Sequence, residues 1–146
     1  DCPLCDPNLI DQTINLFNDL KVDYASNTVP PEIKKYPDGT DVEVFNFKSL
    51  KKAWTETKDI KDREHVTFYF WKRNKKFTLA LLDNKNNWGK YRITVDYKKD
   101  LDVVREIVNE LDKKNKFGFV EEIVEILEKN PNIKKINSMY RYGMNW

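Results

Sequence analysis

The stretch YRITVDYKKDLDVV, residues 91–104, decides the fold. Tyr91 to Val95 reads as a strand, rich in β-branched residues and closed by a carboxylate at Asp96. From Lys99 the pattern changes: Leu101, Val104, Ile107, Val108 and Leu111 recur at helical spacing. A strand that runs into an amphipathic helix is the building unit of an α/β chain. Working outward from it finds the same alternation on both sides. Downstream, Val120, Ile123, Val124 and Leu127 predict a second helix, ended by Asn130-Pro131. Upstream, Phe77 to Leu82 predicts a strand.

Further toward the amino terminus, Asp6-Pro7 is a helix start, with Asp as cap and Pro in the first turn. Ile10, Ile14, Phe17 and Leu20 carry that helix over about residues 7–20. Val22 to Ser26 predicts a short strand, and a Pro-containing loop leads to the Asp38-Gly39 turn. Val42, Val44, Phe45 and Phe47 predict another strand; Leu50, Ala53 and Trp54 mark a short helix. Residues 62–72 pull two ways. Asp62 and Glu64 resemble a helix start, whereas VTFYFW has high strand propensity; we read helix, capped at Asp62. Strands alternating with helices predict a mixed, mostly parallel sheet flanked by helices, in one domain over 1–146.

Composition sets outer limits. A chain of 146 residues, 40% hydrophobic and 13% aromatic, fills one core. Lys and Arg number 26 against 24 acidic residues, so no general basic field recruits nucleic acid. No apolar run approaches the roughly 18 to 20 residues that cross a bilayer. Two cysteines are no disulfide framework, which favours a cytoplasmic setting. The chain opens on Asp1 and stops at MYRYGMNW without a cap, which reads as an internal piece of something longer.

Few residues carry chemistry on their own. Cys2 and Cys5 form a C-x-x-C, but thioredoxin-like redox use needs a preceding strand, and zinc needs more ligands than His65 supplies. Two bystander thiols are the simpler reading. His65 is the one histidine, so any His-dependent proton transfer uses it; a surface histidine is the equal alternative. Asp1 and Asp96 each fall at the carboxyl end of a predicted strand, where open α/β sheets gather ligands. Two such carboxylates suit one Mg²⁺ shared with substrate phosphates, or else each caps a helix.

Four ordered segments together resemble one family: DCPLCDP (1–7), YPDGTDVEVF (36–45), DREHVTFYFWK (62–72) and YRITVDYKKDLDVV (91–104). They are similar to the cytidylyltransferases of the spore-coat polysaccharide biosynthesis F type, relatives of the acylneuraminate and 3-deoxy-manno-octulosonate cytidylyltransferases. The resemblance implies a nucleotide-diphospho-sugar transferase fold, a homodimer, and coupling of CTP to a sugar acid with Mg²⁺. It implies Asp1 and Asp96 as metal ligands, with Arg92 and His65 in catalysis. Tyr36, Asp38, Asp41, Glu43, Arg63 and Glu64 are implied at the sugar side. The family's opening strand and phosphate-cradling loop have no counterpart here, so the resemblance implies a carboxyl-terminal fragment, inactive alone. The alternatives are a related enzyme with another nucleotide or sugar, and a non-catalytic binding or dimerisation module.

Overall fold

Asp6 is extended, and its carboxylate accepts the Asn8 N–H at 2.8 Å, so α1 (Pro7–Leu20) begins where Asp-Pro predicts. The second oxygen of Asp6 accepts the Val120 N–H, also at 2.8 Å. That residue is the first of α6 (Val120–Lys129), so one buried carboxylate serves the amino ends of two helices. The computed structural model describes residues 1–72 and 76–140.

Beyond α1 the chain forms β1 (Tyr24–Ser26), the centre of a three-stranded sheet. β2 (Glu43–Phe45) pairs with it antiparallel and β3 (Leu79–Leu81) pairs parallel, in the order β2-β1-β3. Ala25 faces Val44 on one side and Ala80 on the other. The described sheet is mixed, with one pairing of each sense, rather than mostly parallel.

Three sequence expectations change at this level. Phe47 leaves the strand and opens α2 (Phe47–Glu56), because the Asn46 side chain accepts the Ser49 N–H and starts a helix there. The ambiguous segment is helical in two pieces, α3 (Ile60–Glu64) and α4 (Phe68–Lys72), and the cap of α3 is Asp59 rather than Asp62. The strand propensity of VTFYFW gives way because a helical turn buries Phe68, Tyr69 and Phe70 together. Residues 91–95 are extended but form no ladder; a single parallel bridge joins Arg92 to Asp38. Their partners are short: the loop at Asp38 bonds Tyr91, Ile93 and Thr94, and the Asp1 carbonyl takes Val95 N–H at 2.7 Å. Each neighbour supplies a few bonds, too few for a strand.

The remaining helices are α5 (Lys98–Lys113) and α7 (Pro131–Lys135), the latter begun by the same Pro131 that ends α6. Leu9, Ile93, Val103, Ile107, Ile123 and Leu127 form a core between helices and the 91–95 segment. Tyr24, Ala53, Tyr69, Phe70 and Phe77 form a second, aromatic core on the sheet. β2 reaches both, since Val44 packs on the first and Phe45 on the second. Among the described residues, no helix is long and apolar enough to cross a membrane.

Candidate functional site

Arg92 lies in the extended segment before α5, and every arm of its guanidinium is engaged. Nη1 donates to Asp38 at 2.7 Å, Nη2 to Asp96 at 2.7 Å and to Asp100 at 2.8 Å, and Nε to the other Asp100 oxygen at 3.1 Å. The fork on Asp100 is bidentate, the geometry that gives Arg its specificity. Asp100 is fully buried in the first turn of α5, where it also accepts Asn137 Nδ2 and the backbone N–H groups of Asp96 and Tyr97. Burial pushes its carboxyl up, yet Arg92, Asn137 and the two amides together hold it below the ordinary carboxylate range. Burial alone would lower the Arg92 pKa; the bonds to Asp100 and Asp96 more than reverse that and keep it charged.

Asp38 reaches Arg92 because the loop closes tightly at Gly39. With φ at +100°, Gly39 passes so near residues 93–94 that a Cβ would lie 2.2 Å from the Thr94 nitrogen. The same turn aims Asp41 inward, where it accepts Gly39 N–H at 2.7 Å, the Thr28 hydroxyl at 2.6 Å and the Cys2 thiol at 3.6 Å. Burial raises the Asp38 carboxyl to about 6, against the pull of Lys34 and Arg92. Lys34, desolvated beside Asp38 and Asp41, is lowered to about 8.

Asp41 also borders a cleft of about 280 Å³ whose walls include Glu43, His65, Thr67, Phe68 and Trp71. Burial raises the Glu43 carboxyl, while the Thr67 and Tyr24 hydroxyls pull it back; Thr67 donates at 3.1 Å. His65 stacks on Phe68, with ring centroids 4.1 Å apart. The structure therefore brings Asp41, Glu43 and His65 to one concave surface, which Phe68 and Trp71 also line.

The other expected sugar-side residues stand elsewhere. Tyr36 is a core residue whose hydroxyl donates to the Asp83 carbonyl at 3.3 Å. Arg63 lies over the Trp54 ring at 3.9 Å and donates to the Thr57 carbonyl at 3.1 Å. Glu64 is exposed at the end of α3.

Asp1 and Asp96 lie on adjacent segments, since the Asp1 carbonyl accepts both Val95 N–H and the Thr94 hydroxyl. Neither caps a helix: α1 is capped by Asp6, and Tyr97 holds the cap position of α5. Their carboxylates are hard oxygen donors of the kind Mg²⁺ takes, and one Asp96 oxygen already accepts Arg92 Nη2 at 2.7 Å. Among the described residues, no cluster of three or more His, Cys, Asp or Glu stands ready as a metal cage. The thiols are free, and burial together with the Asp41 charge pushes Cys2 up to about 12, so it stays protonated and unreactive at neutral pH.

No protein-family model matches the chain. An uncharacterized protein, MJ1063 of Methanocaldococcus jannaschii, is 33% identical over 143 residues, which is 97% of this chain and 56% of that protein. Among solved structures, a cytidylyltransferase from Leptospira borgpetersenii serovar Hardjo-bovis superposes with a TM-score of 0.81 at 26% identity, over 97% of this chain and 58% of that one. The chain thus spans a little over half the length of either relative, and nearly all of it has a cytidylyltransferase-like fold.

Proposed function

We propose that this chain is the metal- and sugar-side portion of a nucleotidyltransferase that couples CTP to a sugar acid, releasing pyrophosphate and a CMP-sugar for surface polysaccharide. The observation that carries the reading is the likeness to a solved cytidylyltransferase along almost the entire chain. The cleft of Asp41, Glu43 and His65 supports it, because a concave site walled by aromatic carbon and hydrogen-bonding groups suits a sugar ring.

In this reading the sugar hydroxyl attacks the α-phosphorus, an oxygen–phosphorus bond forms, and the bond to the pyrophosphate oxygen breaks. His65, on the cleft wall, accepts the hydroxyl proton, while Asp41 and Glu43 orient the ring. Asp1 and Asp96 would hold Mg²⁺, which when bound supplies neutralisation of phosphate charge. Arg92, held by three carboxylates, acts by positioning Asp96 rather than by touching substrate. The assembled protein is a cytoplasmic homodimer.

The test is pyrophosphate release by the full-length protein with each nucleoside triphosphate, Mg²⁺ and a panel of sugar acids. CTP-dependent release that falls by about a hundredfold in His65→Gln is expected. No release with any triphosphate and any acceptor sinks the enzymatic reading in favour of a binding module. Release with another triphosphate reassigns the nucleotide.

A further inference from the structure

The central strand β1 ends on Ser26 and continues into Asn27 and Thr28, and all three residues are 0% exposed. Buried polar side chains cost free energy unless they are bonded, and each of these is. The Ser26 hydroxyl accepts the N–H groups of Thr28 at 3.1 Å and Val29 at 3.3 Å, which turns the chain out of the strand. The Asn27 amide clamps the loop after Gly39 at two points. Its Nδ2 donates to the Thr40 carbonyl at 2.7 Å, and its Oδ1 accepts the Val42 N–H at 2.8 Å. Asp41 stands between those two fixed residues, and the Thr28 hydroxyl donates to its carboxylate at 2.6 Å.

These bonds leave the Asp41 carboxylate little freedom. Oδ1 accepts the Thr28 hydroxyl, while Oδ2 accepts both the Gly39 N–H at 2.7 Å and the Cys2 thiol at 3.6 Å. A carboxylate offers about four lone-pair directions. Three are taken among the described residues, and the remaining one belongs to Oδ1. The Asn27 clamp holds the Asp41 backbone; the side chains that donate to its carboxylate are Thr28 and Cys2, and a thiol is a weak donor. Thr28 therefore sets both the rotation of the carboxylate and the oxygen that is left to meet a ligand in the cleft, which Asp41 lines.

We propose that Thr28 is a positioning residue for this cleft: it fixes the Asp41 carboxylate so that Oδ1 accepts one hydroxyl hydrogen of the sugar ring. The proposal rests on the reading of the cleft as the sugar-acid site and adds the residue that makes recognition there directional. Thr28 touches no ligand itself, because it is fully buried and does not line the cleft. A carboxylate that can rotate meets hydroxyl groups in several positions, whereas one locked by a 2.6 Å bond meets a narrower set.

The experiment is a titration of the full-length protein with N-acetylneuraminate, 3-deoxy-manno-octulosonate and glucuronate, without triphosphate, read at the His65 and Trp71 ring resonances. Thr28→Val keeps the shape of the side chain and removes the donor. It should raise the dissociation constant of the best-bound sugar acid about tenfold or more, and Thr28→Ser should restore it to within about twofold. Thr40→Val is the structural control: it removes an equally buried hydroxyl from the same loop, one that donates to the Pro37 carbonyl at 2.8 Å and not to Asp41. It should leave affinity within about twofold, and Thr28→Val added to Asp41→Ala should also cost less than about twofold. Thr28→Ala takes the place of the valine variant where the buried methyl prevents folding. Equal weakening by Thr40→Val, or an effect of Thr28→Val that persists undiminished without the Asp41 carboxylate, overturns the assignment. The failure of the enzymatic reading is a separate result: binding intact with no pyrophosphate release. A parent protein that shows no saturable shift with any of the three acids overturns the positioning role even where release is seen.

Discussion

Arg92 carries one positive charge and touches three carboxylates, so the balance at this residue is negative and depends on burial and geometry. Removing its best partner is costly, because a buried guanidinium loses its bidentate acceptor and Asn137 loses its oxygen. Asp100→Ala should destabilise the protein by about 3 kcal/mol or more, read from urea unfolding with an unchanged denaturant slope. A loss under about 1 kcal/mol would mean that Asp38 and Asp96 hold Arg92 without help. Asp38 sets a pH dependence of the opposite sign from the usual carboxylate. Its carboxyl rises from 3.8 to about 6 on folding, so the folded state binds the proton more tightly. Its contribution to stability is present below about pH 4 and is lost as pH rises through 6. Asp38→Asn should therefore gain on the parent protein between pH 4 and pH 6.5, by at most about 3 kcal/mol. A difference that stays flat across that window would show Arg92 keeping Asp38 ionised throughout. Asp100 was visible in the sequence only as an Asp four positions after Asp96, with nothing to say that it is buried. Asn137 had no signal at all, because its partners lie 37 and 45 positions away.

At the scale of elements, the turn through Gly39 does more positioning than any helix. It brings Asp38 to Arg92 and Asp41 to the cleft while crossing the 91–95 segment at contact distance. Gly39→Ala meets backbone, which cannot swing aside, and it needs a positive φ that alanine resists. The expected result is a loss of at least about 2 kcal/mol, with the Arg92 side-chain resonances displaced. Gly118→Ala, whose added carbon would meet only the tip of Leu111 at 3.1 Å, should lose less. Helices were legible in the sequence because α1, α5 and α6 are long enough for several turns of apolar repeat, and because Pro7 opens α1 and Pro131 stops α6. The strands are three residues each, too short for alternation to register, so their positions were found and their limits were not. The turn at Asp38-Gly39 was legible, but the crossing it permits is a tertiary fact. It is also why Tyr91 to Val95 looked like a strand: the residues are extended, and what lies beside them is a loop.

Two cores make the whole molecule, one between helices and one aromatic, and β2 contributes to both. That shared strand, with the Arg92 network beside it, predicts a single unfolding unit. Phe70→Ala empties the aromatic core and Ile107→Ala the helical one, each at a fully buried position. Both should shift one common transition, with near-ultraviolet signals from the aromatic core and far-ultraviolet signals from the helices still coincident. Separate midpoints in either variant would split the chain into two units. The bond from Asp6 to Val120 has a further meaning for anyone who cuts this chain. Helices are usually treated as modules that carry their own start signals nearby, yet α6 borrows half of Asp6, which stands 114 positions upstream. A boundary drawn after Asp6 would appear to trim a surface turn from α1. It would in fact remove the fastening from a helix near the opposite end of the sequence, and the damage would show far from the cut.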